Sequence, residues 1–366
     1  MKTVDKIYKD LYDKPEDWDY YQKGVDYGYP FDSEDYRICS DFIEKFFRDS
    51  GKKETTFKGF AEKLGKRSQH IVSTFFLGVY LYKNSDFIHK NVHKELSKKY
   101  PKEYCDSEIE RSFTFVWFLI CLFHDMGYLI EEDKNRNTPK YLSFQDFLDS
   151  ECINKKLSNL SGVPRIYAKI YRSYFAYRAN EHRTNDHGIC AAFLLFKDLC
   201  EIRERKEKNP NTDPDDKLYW GKELIRIYNF ASWIILAHNI WYVNSSNLSE
   251  VEKYNCAGLN QLIRHAGEYK ICFETHPTFF LFCLIDSIEF LKRVKDVSLL
   301  EKIELGIEEG DNKNCKIVVE SKLTCGYNDS VMKSIEDLNN WLTTTKKDGD
   351  KKIRIDLHPA KLNPTL

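Results

Sequence analysis

Imidazoles and carboxylates recur in this chain where a lone polar group would be costly. His124 and Asp125 end the run Phe115–Phe123, His238 ends Ala231–Ala237, and Asp286 lies inside Phe279–Leu291, each segment otherwise almost wholly apolar. An unpaired carboxylate buried in such a run costs on the order of several kcal/mol even after relaxation. His70 and His187 stand at the starts of two further apolar stretches. Six candidate metal ligands, His70, His124, Asp125, His187, His238 and Asp286, thus share one problem, and one or two bound cations would solve it for all. A single histidine taken alone is better read as a satisfied core or helix-end residue, because His is often partly buried. The ordered set of six reverses that preference.

The elements that must position these residues are helices. Ser68 to Tyr82 is apolar on most sides and long enough for a buried helix, with Ser68 as its N-cap and His70 in its first turn. A second buried helix is expected over Glu108 to Phe123, ending or bending near Gly127, and a third starting near Asn185 and Asp186. A fourth is expected from Leu218 to Asn239 and a fifth from Pro277 to Val294, while Arg203 to Lys217, with its Asn-Pro and Asp-Pro steps, reads as an exposed loop. Residues 1–66 form short helical patterns without a motif, an N-terminal helical cap. Strand-like alternation comes only after residue 300, at Lys302–Ile307, Cys315–Glu320 and Lys352–Leu357, with a helical stretch from Ser330 to Leu342 between the last two. The expected class is mainly α, with a helical core over 67–295 and a small ββαβ-like appendage over 296–366.

Composition sets outer limits. The chain has 366 residues, 42% of them hydrophobic, enough for a sizeable core. Its 56 basic and 57 acidic residues nearly cancel, so no global field collects long nucleic acid. The first ten residues have no apolar segment of the signal-peptide kind, and the run Phe113 to Phe123 is short of the roughly 20 residues a membrane span needs. Eleven cysteines without a Cys-x-x-Cys spacing fit reduced thiols. These features predict a cytoplasmic protein with no membrane partner.

Taken in order, His, His-Asp, His, His and Asp, each near or within a helix, this series resembles the HD superfamily of metal-dependent phosphohydrolases over residues 68 to about 295. Leu-Phe-His124-Asp125-Met-Gly-Tyr is similar to that family's central His-Asp-x-Gly motif; Asp186-His187-Gly188 and Leu-Ile-Asp286 support it. The resemblance implies an HD-type helical bundle in which His70, His124, Asp125 and Asp286 hold one metal. Asp125 would bridge to a second metal completed by His187 and His238. It also implies hydrolysis of a small phosphorylated substrate, a nucleotide or cyclic nucleotide, by a metal-bound hydroxide. The donor set suits Mn, Fe, Zn, Ni, Co or Mg better than Ca. Two departures stand out. Tyr128 follows the glycine where many members carry lysine, and His238-Asn239 replaces the paired histidines of the cyclic di-GMP subgroup, whose Gly-Tyr-Pro signature is also missing.

Beside His187, the Glu181-His182-Arg183 segment offers two further catalytic candidates. Arg183 could clamp a phosphate through its planar fork and His182 could protonate a leaving oxygen, although a charged helix start is the commoner meaning of such a triplet. Two other functions remain open at this level: an HD-type nuclease on single-stranded nucleic acid, and a non-catalytic metal-binding regulatory module, with a homo-oligomer possible for each.

Overall fold

The computed structural model describes residues 1–21, 24–49, 63–131, 138–208, 221, 224–265, 271–294, 296–310, 314–323, 325–343 and 353–359. The elements that organise it are strand β1 (Lys2–Thr3) and helices α1 (Val4–Tyr12), α2 (Tyr36–Asp49), α3 (Arg67–Asn84), α4 (Asp106–Phe123), α5 (Arg165–Glu181), α6 (His187–Lys208), α7 (Ile225–His238) and α8 (Pro277–Ile288). They continue with strands β2 (Ile303–Gly310) and β3 (Asn314–Ser321), helix α9 (Cys325–Trp341) and strand β4 (Ile353–Pro359). The protein is mainly helical, as expected. Contacts divide it into two compact units: Met1–Phe47, Gly65–Glu95 and Tyr269–Leu366 form the first, and Arg48–Leu64 with Leu96–Glu268 the second.

In the first unit α3 is buried around nearly its whole circumference, from Ser68 through Tyr82, as its all-round apolar sequence requires. Trp18 packs there among the rings of Tyr27, Phe42, Phe46 and Phe76. The same unit holds the expected ββαβ order. β2 and β3 pair antiparallel, α9 crosses over, and β4 returns parallel to β3, with Ile317 paired to Ile307 on one side and Ile355 on the other. β1 adds an antiparallel edge to β2. At two residues it is too short to leave an alternation pattern in the sequence.

The second unit is built on α4, α6 and α7, which pack against one another. Ile109 and all of Ser112–Phe123 are buried in α4. By length and composition alone the stretch Asp106–Ile130 is apolar enough to cross a membrane, longer than the run seen in the sequence; 83% of its apolar window lies buried inside the protein.

Three expectations change in detail. Ser68 is not an N-cap: α3 begins at Arg67 after Lys66, and the Ser68 hydroxyl donates to the carbonyls of Gly65 and Tyr36. Gly65, at φ +58°, makes the left-handed turn that starts the helix a residue early. The Arg203–Lys217 loop is helical as far as Lys208, its remainder lying outside the described residues. The long fifth helix breaks after Ile288 and resumes as Leu291–Val294. The cause is Glu289, whose backbone extends to ψ 134° while its carboxylate accepts from the amides of Leu291 and Lys292. Of the expected fourth helix, α7 is described from Ile225 to His238; residues 218–220, 222 and 223 lie outside the described set.

Candidate metal centre

In the first unit the site is assembled by α3 and α8. His70 sits in the first turn of α3 and Asp286 near the end of α8. The His70 ring is held at both nitrogens, with Nδ1 2.7 Å from Glu289 Oε2 and Nε2 3.1 Å from Asp286 Oδ1. A carboxylate only accepts, so Nδ1 carries a proton toward Glu289, which fixes the ring orientation as carboxylate partners do behind metal-binding histidines. Glu289 is fully buried. Its negative charge is compensated by His70 and by the two backbone amides at the start of Leu291–Val294.

Burial would by itself lower the His70 pKa, but the hydrogen bonds to Asp286 and Glu289 and the charge of Glu289 outweigh it and push the value to about 9. Without a metal, therefore, His70 is an imidazolium at neutral pH, and a proton occupies the lone pair that an ion would take. Asp286 is half-buried and its carboxylate is met by the Lys292 ammonium at 2.9 and 3.0 Å. Arg293 donates to the Glu289 carbonyl and to Ser330 and Ser334 of α9, tying that helix to the same corner.

The second unit brings together the other four residues. Gly127 is what lets them meet: a Cβ there would lie 2.0 Å from the His187 carbonyl oxygen, so only glycine allows the turn after His124-Asp125 to press on the start of α6. A Cβ on Gly188 would come within 2.9 Å of the Ile235 carbonyl and 3.0 Å of the His238 ring. With both absent, the rings of His187 and His238 lie 5.2 Å apart, and those of His124 and His238 5.6 Å, each pair edge to face. All four polar residues are buried.

Backbone carbonyls set their tautomers. Nδ1 of His124 lies 2.6 Å from the Cys121 oxygen and Nδ1 of His238 2.5 Å from that of Ile235; since a carbonyl only accepts, each Nδ1 donates, and Nε2 is the lone-pair nitrogen in the neutral ring. His124 Nε2 then faces Asp125 Oδ1 at 3.2 Å. An imidazole lone pair and a carboxylate oxygen at that separation are the donor pair a proton or a metal ion can bridge. Imidazole nitrogen and carboxylate oxygen are the donor types that a borderline divalent cation takes.

No family model, curated protein or solved structure matches the chain. The weight therefore falls on the residues themselves.

Asn239 donates to Asp186 Oδ2 at 2.7 Å, while Asp186 Oδ1 accepts from the Ile189 amide and caps α6. Burial raises the Asp186 pKa, against the opposing charges of His187 and Arg178. Tyr128 stacks on the His187 ring at 4.0 Å. His182 closes α5, with Nε2 3.3 Å from the Tyr177 hydroxyl; burial and then the Arg178 charge lower its pKa. Arg183 is exposed, in a left-handed conformation at φ +57°. The described side-chain contact of His182 is with Tyr177, and among the described residues no contact is recorded between His182 or Arg183 and the His124, His187 or His238 rings.

Glu289 and Lys292 are the neighbours of His70 and Asp286 that sequence reading passed over. The signal for Glu289 was present: a second carboxylate three residues after Asp286 in the same apolar run, one helical turn on. Lys292 looks like any surface lysine in sequence, and only the break in the helix turns it back onto Asp286.

Proposed function

We propose that this chain is a metal-dependent phosphohydrolase in which His70, His124 and Asp286 offer the donors for one divalent ion. In this reading Asp125, His187 and His238 complete a second ion site. The reaction is hydrolysis of a phosphoester in a small substrate, a nucleotide or cyclic nucleotide, in a cytoplasmic protein. The observation that carries it is the pairing of buried imidazoles with carboxylates, His70 with Asp286 at 3.1 Å and His124 with Asp125 at 3.2 Å, a donor set that a divalent ion takes.

A bound divalent ion supplies Lewis acidity toward a phosphoryl oxygen and lowers the pKa of water beside it. This chain's residues supply the rest. Glu289 holds the His70 ring so that Nε2 points toward Asp286, and the Cys121 and Ile235 carbonyls keep His124 and His238 in the tautomer that exposes Nε2. Gly127 and Gly188 allow the approach that clusters the rings.

One observation favours a second reading, a non-catalytic metal-binding module: the Tyr128 ring lies flat on His187, where an aromatic cover limits access to that imidazole. Elemental analysis of protein purified without chelator, followed by a panel of nucleotides and generic phosphoesters with that metal restored, separates the two. Metal near one or two ions per chain with chelator-sensitive hydrolysis is the expected result. Metal without hydrolysis of any phosphate ester would favour the module, and full hydrolysis by Asp125→Ala would refute the metal mechanism.

A further inference from the structure

The Lys292 ammonium sits across both oxygens of Asp286, at 2.9 and 3.0 Å, and 3.2 Å from the backbone oxygen of the same residue. It reaches back from the short helix Leu291–Val294, where its own amide is pinned by Glu289, so the base of the side chain is fixed while its four-carbon stem stays mobile. The side chain is 43% exposed and that of Asp286 16%, which puts the ammonium on the solvent side of the carboxylate.

Asp286 is faced by His70 and by Lys292, and Glu289 by His70, with Arg293 held by the Glu289 carbonyl and two serines. A divalent ion taken up by His70 and Asp286 would set two positive charges beside an ammonium already there. Coulomb repulsion then drives Lys292 off the ion's side of Asp286 and toward solvent, where a strongly hydrated point charge pairs best with an incoming anion.

We propose that Lys292 is the phosphate-binding residue of this centre: it covers Asp286 in the metal-free protein and turns to a substrate phosphoryl oxygen once the metal is in place. The proposal rests on the metal-dependent reading of the same site. It assigns the anion contact to a residue that carries no metal and whose removal leaves every proposed metal donor intact.

The test uses the full chain, manganese(II) alone and then inorganic phosphate, with wild type, Lys292→Ala and Lys292→Arg compared by calorimetry. Wild type is expected to bind manganese and then phosphate. Lys292→Ala is expected to bind manganese as tightly or more tightly and phosphate about 10- to 100-fold more weakly, the loss of one charge-assisted hydrogen bond, and Lys292→Arg to recover most of it. Unchanged phosphate affinity in Lys292→Ala would overturn the proposal while leaving the metal reading intact. Loss of manganese affinity in both variants would also overturn it, by making the lysine a support for Asp286. Wild type that binds no manganese would overturn both together, and that result appears before any variant is compared.

Discussion

The two units solve the same electrostatic problem differently. In the first, a single imidazole stands between two carboxylates and is charged when no metal is bound, with Lys292 covering the remaining charge. In the second, three imidazoles crowd edge to face, two of them with their tautomers set by backbone carbonyls, and the crowding depends on two missing Cβ atoms. One region is held by charge, the other by shape. A perturbation of charge should therefore damage the first far more than the second, and a perturbation of volume the reverse.

The largest effect is expected from volume in the second unit. Gly127→Ala would place a methyl 2.0 Å from a backbone oxygen, which no rotamer change relieves. It should destabilise the protein by more than about 3 kcal/mol, beyond ordinary overpacking, and urea denaturation would measure it. Gly188→Ala, with contacts near 3 Å, should cost less. Equal, small costs at both positions would mean that the ring cluster does not depend on close backbone approach.

Removing charge from the first unit comes next. Glu289→Ala strips His70 of its buried partner and leaves two backbone amides without an acceptor. It should cost about 2–5 kcal/mol of stability and weaken manganese binding about 10- to 100-fold. Glu289→Gln, which keeps the shape, should recover much of the stability and less of the metal affinity. If Gln restored both, the charge would be irrelevant and the contrast between the units would fail.

A buried carboxylate away from the rings sharpens the contrast. Burial pushes the Asp198 pKa from 3.8 up to about 7, with the Lys197 charge opposing and Glu201 adding to the rise. Because the folded value lies above the unfolded one, folding favours the protonated acid. Stability is then fullest below about pH 4 and is lost as pH rises toward and through 7. Asp198→Asn should stabilise the protein at pH 8 by on the order of a few kcal/mol, and hardly at all at pH 4, in paired melting curves at the two pH values. The smallest effect is at the exposed left-handed residue: Arg183→Gly should gain about 0.5–1 kcal/mol. A large loss of phosphoester hydrolysis in that variant, with stability intact, would place Arg183 in the catalytic group.

The helices were legible because their signals are strong: α3 and α4 are apolar on all sides, and the ββαβ strands alternate. Helix ends were not, since Gly65 and Glu289 act through backbone conformation and side-chain capping that a hydrophobic pattern does not record. Within the candidate centre, the donors themselves stood out as charged groups in apolar runs. Their supports did not. Glu289 was hidden in the same run as Asp286, and the Nδ1 partners of His124 and His238 are carbonyls, which every residue has. Lys292 acquires its meaning only from the turn that Glu289 imposes.

The proposal that His70, His124 and Asp286 hold one ion is tested most directly by manganese(II) binding followed by electron paramagnetic resonance in wild type, Asp286→Asn and His124→Gln. Each single substitution is predicted to weaken the same tightly bound ion, about 10-fold or more, as loss of any one ligand should. Retention of that ion by His124→Gln at wild-type affinity, with loss only in Asp286→Asn, would contradict the account by showing that His124 is not a ligand of that ion.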